Sequence, residues 1–198
     1  GALRLRKQFV QKFDGSEFSN DKRNTIIGGS RPIDITNVTT NGQGFVLGKW
    51  SNKTSAGVAG PSSGFVDTDF PVFRLADAYL MYAEAQMRKD GAVNGSTTPN
   101  ANSTSIGYIN ALRTRANGTT ISSANLDFII DERARELHWE AFRRQDLIRF
   151  GKYTGGSYNW AWKGNSSKGI AIPSYMSVFP IPEGSLGANR NLTQNTGY

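Results

Sequence analysis

The chain has 198 residues, 37% of them hydrophobic and 20% charged, with no cysteine and a net charge of +7. That length supports one domain with a sizeable core; the composition excludes disulfides, thiolate metal sites and a cysteine nucleophile, and no apolar run approaches the roughly 20 residues needed to cross a bilayer. The positive balance invites a nucleic-acid reading. However, the densest charged stretch, residues 131–149, mixes cations with carboxylates, and the closely spaced cations of residues 4–12 form only a short run. The surplus reads as solvated surface, with no nucleic-acid partner.

The N-terminal stretch Gly1-Ala2-Leu3-Arg4-Leu5-Arg6-Lys7 has no apolar leader core. Either the protein is not exported or its targeting segment is missing. Phe9, Val10 and Phe13 share a helical face and predict a short helix ahead of Asp21-Lys22-Arg23. Residues 25–66 are rich in Gly, Thr, Ser and β-branched residues, and 25–27, 33–38 and 45–49 are expected as short strands. Gly42-Gln43-Gly44 reads as a turn, because Gly48 comes one residue too late for a dinucleotide-binding glycine pattern and no helix pattern follows.

Residues 71–90 predict the clearest helix. Phe73, Ala76, Leu80, Ala83 and Met87 recur at three- and four-residue intervals, and Leu75, Tyr79 and Tyr82 widen the stripe. Pro71 fits near the first turn and Gly91 is a natural stop. Glu84 precedes Arg88 by four residues, the favourable order for an exposed pair. After a polar loop, a second helix is expected from about Ser105, with Ile106, Ile109, Leu112, Arg113 and Ala116 on its inner face and Asn117-Gly118 at its end. The two form a helical hairpin. Residues 123–150 predict a third, charged helix, bent near Ala141 and closed by Gly151. Residues 152–198 contain no convincing helix. Within them, Val178-Phe179-Pro180-Ile181-Pro182 must be extended, because proline removes a donor and restricts the residue before it.

Three segments together resemble the SusD/RagB family. The first is Phe73-Arg74-Leu75-Ala76-Asp77-Ala78-Tyr79-Leu80-Met81-Tyr82-Ala83-Glu84-Ala85. The second runs from Asp131-Glu132-Arg133-Ala134-Arg135-Glu136-Leu137 to Arg143-Arg144-Gln145-Asp146-Leu147-Ile148-Arg149-Phe150-Gly151. The third is Phe179-Pro180-Ile181-Pro182 with Gln194-Asn195-Thr196-Gly197-Tyr198. Any one alone is modest; their order, with the helix around Tyr108–Ala116 between the first two, is specific, and Phe13 with Asp21-Lys22-Arg23 extends the likeness over most of the chain. Thr196 and Arg190 depart from the usual proline-containing tail.

The resemblance implies a mainly α fold with a tetratricopeptide-like hairpin, a further charged helix, long loop-rich segments and a few short strands. It implies the C-terminal region of a longer protein: a loop and short-strand part over 1–70, a helical part over 71–151 and an extended part over 152–198. Such proteins are outer-membrane lipoproteins that face outward, capture glycans or, in some branches, peptides, and act as a lid on a SusC-like TonB-dependent transporter. The implied partners are therefore a glycan, that transporter and a missing N-terminal half, with membrane contact only through a lipid anchor that this chain lacks. No enzyme activity and no cofactor are implied.

The residues themselves bear on rival readings. Glu132 and Glu136 lie four apart on one helix face, the kind of carboxylate pair that a glycosidase requires. The arginines around them favour two ionised carboxylates, whereas a general acid needs a raised pKa. Glu132, Arg133, Glu136, Arg143, Arg144, Asp146 and Arg149 read as a structural charge network. His138 is the only histidine, and His138-Trp139-Glu140 is too weak a pattern for zinc. No glycine-flanked nucleophile elbow supports Ser-His-Asp chemistry. Seven Asn-x-Ser/Thr patterns, from Asn37 to Asn191, read as chance in an Asn/Ser/Thr-rich chain. Tyr153, Tyr158, Trp160 and Trp162 lie in a Gly/Asn/Lys loop; their faces suit the apolar side of a sugar ring or, more simply, pack the loop in place. The candidate ligand contacts are Tyr158, Trp160, Trp162 and Trp50. The leading function is glycan capture without catalysis. A helical scaffold that binds only protein is the rival, favoured if the aromatics are buried and disfavoured if they line a groove.

Overall fold

The computed structural model describes residues 3–61, 66 and 68–198. Gly1 and Ala2, at the start of the stretch read for a leader, and residues 62–65 of the strand-bearing segment lie outside them. The chain forms two compact units, Gly1–Arg143 and Arg144–Tyr198.

The first unit is built on three helices: α2 (Leu75–Lys89), α3 (Ser103–Arg115) and α4 (Leu126–Glu136). A short helix α1 (Lys7–Val10), continued by a 3-10 turn at Gln11–Phe13, precedes them and buries Val10 and Phe13 as the apolar spacing requires. α2 packs on both α3 and α4. Its inner face is Ala76, Leu80, Ala83 and Met87, and α3 contributes Ile109 and Leu112 to the same core. Tyr79 and Tyr108 stack across the α2–α3 seam at 4.3 Å, and Gln86 bonds to the Ser105 hydroxyl at 2.7 Å. Asn102 caps α3 through the Ser105 amide and Asn125 caps α4 through the Phe128 amide, each satisfying a donor that a helix start leaves free. Gly91, at φ +90°, takes the left-handed turn that ends α2.

Four expectations are corrected. Helix α2 begins at Leu75, so Phe73 is outside the stripe and 89% exposed. Arg74 is extended at the helix start and sends its side chain to Glu136 and Glu140. Leu75 and Tyr82, read as widening the inner stripe, are exposed, as is Met81. One hairpin partner leaves that side of α2 uncovered. Glu84, expected in a surface pair, bonds to Arg88 at 2.9 Å but is itself buried.

The expected strand at 33–38 is absent. Among the described residues, Ile26–Ile27 (β1) and Val46–Leu47 (β2) pair as antiparallel strands, with isolated bridges at Lys53–Ala59 and Gly155–Ile172. Side chains take the hydrogen bonds that a ladder would have supplied. The Gln43 amide oxygen accepts from the Thr36 and Asn37 amides. Arg4 donates to the Thr40 and Val38 carbonyls, and Arg31 to that of Asn41. A backbone satisfied this way has no need of a partner strand.

The helix expected over 123–150 is two helices, α4 and α5 (Arg143–Arg149). Trp139 and Ala141 between them have φ of +62° and +65°, a left-handed conformation that ends a helix rather than bending it. Among the described residues no helix is long and apolar enough to cross a membrane.

In the second unit, 178–182 is extended and a short helix α6 (Glu183–Ala188) follows Pro182, where none was expected. Pro182 sits at the helix N-cap and Glu183 in its first turn, where the exposed amides favour an acid. The extended segment pairs with side chains instead of a strand. Gln194 bonds both the amide and the carbonyl of Ile181, at 2.8 and 2.9 Å. Asn195 donates to Phe179 O and the Tyr198 hydroxyl to Val178 O. This is the work that the terminal Gln194-Asn195 and Tyr198 perform.

Candidate functional site

Six cations and four carboxylates converge in the first unit. Glu132, wholly buried, accepts from Arg23 at 2.7 Å, Arg113 at 3.0 Å and Arg135 at 2.9 Å. Asp21 holds the other edge of Arg23 through a fork whose shortest arm is 2.6 Å. One turn along α4, Glu136 accepts from Arg74 and Arg115 at 3.1 and 2.7 Å. Glu140 accepts from Arg74 at 2.7 Å and from Lys49. The cationic surplus is met by π faces: the Arg135 guanidinium lies 4.5 Å from the Phe18 ring centre, and Arg113 lies over the same ring at 5.4 Å.

Burial acts to raise the pKa of Glu132, but Arg23, Arg135 and Arg113 outweigh it and hold the carboxyl below its ordinary range. Glu140 is likewise lowered against burial, by hydrogen bonds from Arg74 and Lys49. Lys49 itself is pushed down by burial, with Arg74 adding to the effect and Glu140 only partly offsetting it. Both acids are locked as anions, so neither is poised to donate a proton.

A cavity of about 520 Å³ opens beside this cluster, lined among others by Lys22, Lys49, Trp50, Asp69, Arg74, Arg115, His138 and Glu140. A second hollow of about 370 Å³ shares Trp50 and Asp69 and adds Asn52, Thr68, Phe70 and Trp139. Trp50 and Trp139 are 39% and 41% exposed, so each offers a ring surface while the rest of it is anchored. The left-handed backbone at Trp139 carries that ring out of the line of α4.

His138 is buried among these charges. Its Nδ1 donates to the Arg135 carbonyl at 2.7 Å, while the buried Nε2 has no partner among the described residues. Burial and the Lys49 charge push the imidazole down to about 4, against the opposing pull of the Arg135 carbonyl, Glu140 and Glu136. A folded pKa below the unfolded value of roughly 6.5 means that the unfolded chain binds the proton more tightly. Its contribution is therefore complete above about pH 6.5 and is lost as pH falls toward 4. About 2 kcal/mol should be gone by pH 5, before the lowered acids Asp21, Glu132 and Glu140 protonate in the folded state. Urea melts from pH 7 to 5 measure this. His138→Asn, which keeps a donor for the Arg135 carbonyl, should flatten the profile; an equally steep profile in the variant would assign the loss to other groups.

Of the seven residues read as one network, Glu132 and Glu136 lie in the cluster above. Arg133 pairs instead with buried Asp77 at 2.7 Å and lies over Phe142. Arg143 donates to the Ile130 carbonyl at 2.7 Å. In the second unit, Arg144 donates to the Met176 and Ser177 carbonyls and lies 4.0 Å over the Phe179 ring, while Asp146 pairs with Arg149 at 2.8 Å. The partners Arg23, Lys49 and Arg74 escaped the network reading, because ion pairs across 109, 91 and 62 residues leave no local spacing. Trp139 escaped for a related reason: a helical register through residue 139 gave it no special place.

The aromatic loop is held from within. Buried Lys163 donates to the Gly155 and Tyr158 carbonyls, both at 2.7 Å, and its ammonium lies 4.7 Å from the Trp160 ring centre. Trp160 stacks on Tyr153 at 6.0 Å. A Cβ on Gly169 would lie 2.3 Å from the Trp160 carbonyl oxygen, so only glycine permits this approach. Tyr158, Trp160 and Trp162 are all half-buried.

The SusD family model matches residues 5–198. The starch-binding protein SusD of Bacteroides thetaiotaomicron is 40% identical over 172 residues, 86% of this chain and 29% of that protein. The SusD-like protein P25 of Formosa agariphila is 39% identical over 143 residues, 64% of this chain and 24% of its own length. Among solved structures, surface glycan-binding protein A from Bacteroides uniformis superposes with a TM-score of 0.63 at 20% identity, covering 97% of this chain and 40% of that one. A SusD superfamily protein from Bacteroides vulgatus gives a TM-score of 0.62 at 23% identity, covering 98% and 39%. The chain thus spans less than a third of the length of these curated relatives.

Proposed function

The chain belongs to the SusD family, and we propose that it binds glycan at the bacterial outer-membrane surface, without catalysis, for delivery to a SusC-like TonB-dependent transporter. The observation that carries the reading is the likeness to a starch-binding protein across most of the chain. Half-exposed tryptophans at an open cavity support it, because a flat ring can stack on the apolar face of a sugar. Glu132 and Glu140, both held ionised by arginine and lysine, argue against glycoside hydrolysis, which needs a protonated acid. The exposed Leu75, Met81 and Tyr82 on α2 favour the rival reading of a helical scaffold that binds only protein.

Calorimetric titration of the protein against a panel of neutral and acidic oligosaccharides separates the two. At least one class should bind; a folded protein that binds none would leave the scaffold. The same titration places the aromatic loop. With Trp160 clamped between Tyr153 and Lys163, Trp160→Ala should lower stability by about 1–2 kcal/mol and leave affinity unchanged. A loss of affinity at constant melting temperature would move the ligand into that loop.

A further inference from the structure

Resting on that reading, we propose that the cleft lined by Trp50, Trp139 and Phe70 in the first unit is a glycan site, and that it takes an uncharged pyranose chain stacked on the two indole rings.

The two tryptophans are open and held in advance. Both line the hollow of about 370 Å³, and they are 39% and 41% exposed. One lysine ties them together. Lys49 Nζ donates to the Glu136 carbonyl at 3.1 Å and to the His138 carbonyl at 2.9 Å, and it also pairs with the Glu140 carboxylate. It therefore grips the chain on both sides of Trp139. Trp50 is the next residue after Lys49, and the same ammonium lies 5.7 Å from its ring centre. Arg74 adds a second grip on the turn, through the Glu136 carbonyl at 3.2 Å and the Glu140 carboxylate at 2.7 Å. Moving one tryptophan away from the other breaks these bonds. Rings fixed before a ligand arrives lose little freedom when it binds.

The backbone is strained where it presents Trp139. Trp139 and Ala141 have φ of +62° and +65°, a region that residues other than glycine occupy at a cost. Strain of this kind gathers at ligand sites, where the surrounding structure overrides it. Here Glu140, anchored by Arg74 and Lys49, sits between the two strained residues and holds them. The strain sets the Trp139 ring in the wall of the hollow.

The rest of the lining fixes the chemistry of the ligand. Phe70, 59% exposed, adds a third ring, and Ser51 and Asn52 add hydrogen-bonding groups. Apolar faces with a few polar groups match a pyranose, whose C–H face stacks and whose hydroxyls bond. Asp69 is the only ionisable residue in the described lining of this hollow. Asp67, two positions away in the sequence and outside the described residues, carries the same sign. A carboxylate or sulfate on the sugar would meet negative charge here and no cation, so an uncharged chain fits.

The test titrates the 198-residue chain with maltohexaose, cellohexaose, xylohexaose and a hexamer of galacturonic acid. At least one neutral hexamer should bind, about tenfold or more tightly than the acidic one, and its affinity should hardly change as salt rises. Trp50→Ala and Trp139→Gly should each weaken the bound neutral hexamer about tenfold. Glycine suits the left-handed turn, so Trp139→Gly should keep the melting temperature within about 3 °C. Trp139→Phe, which keeps a ring, should restore most of the affinity. Ser51→Arg, an exposed change that crowds the cleft, should also weaken binding about tenfold, and it decides alone if a tryptophan variant fails to fold. Unchanged affinity in the folded variants, or tighter binding of the acidic hexamer, overturns this assignment while glycan binding itself stands. Failure of every oligosaccharide to bind overturns both.

Discussion

Replacing Glu132 with glutamine should cost about 3 to 5 kcal/mol of folding stability, far beyond the ~1 kcal/mol or less typical of exposed ion pairs. The carboxylate is wholly buried and bonded to three guanidiniums, from Arg23, Arg113 and Arg135. An amide cannot accept all three or neutralise any of them. Arg23 keeps Asp21, but Arg113 is left with the Thr119 carbonyl and the Phe18 and Phe128 rings, and Arg135 with the Lys12 carbonyl. The cost is therefore that of stranded buried charge rather than of one lost bond. Urea denaturation measures it. Adding Arg113→Met to Glu132→Gln should recover part of the loss, since one of the stranded charges is then gone. A single-variant loss under about 1 kcal/mol would mean that the cluster adds nothing beyond what surface pairs do.

The helices were legible because their cause is local. Ala76, Leu80, Ala83 and Met87 announce a buried face by spacing alone, and all four are buried. Arg113 fell on the inner face of α3 by the same spacing, and is 2% exposed. That placement was a sequence sign that this arginine would be enclosed, although its partner Glu132 is 19 residues on. The break between α4 and α5 was legible only as a bend near Ala141, because it rests on left-handed residues at Trp139 and Ala141 that no glycine marks. The expected strand at 33–38 failed for the opposite reason. Its β-branched residues suit a strand, but Gln43, Arg4 and Arg31 satisfy its backbone from a distance.

The cleft was half legible. Trp50 stood out as a candidate ring, but its neighbours come from four separated stretches of chain. His138 read as a solitary histidine without a metal pattern; the burial and the Lys49 charge that push its pKa down exist only in three dimensions.

Leu80→Ala should cost about 2 to 5 kcal/mol, the combined loss of transfer energy and the cavity left behind. Leu80 is completely buried at the centre of α2, and the neighbouring core residues Ala83, Met87, Ile109 and Ile129 are as fully enclosed. α2 meets α3 and α4 through this face, so a void here is bounded by helices on both sides and closes poorly. Alanine improves helix propensity slightly, which works against the loss by only a few tenths of a kcal/mol. Leu75 provides the control on the same helix: it is 65% exposed, and Leu75→Ala should change stability by no more than about 0.5 kcal/mol. If the two variants lost equal stability, the buried face assigned to α2 would be wrong. If both lost several kcal/mol, Leu75 would be covered in solution, and the mass of the protein by light scattering would then reveal a second copy on that face.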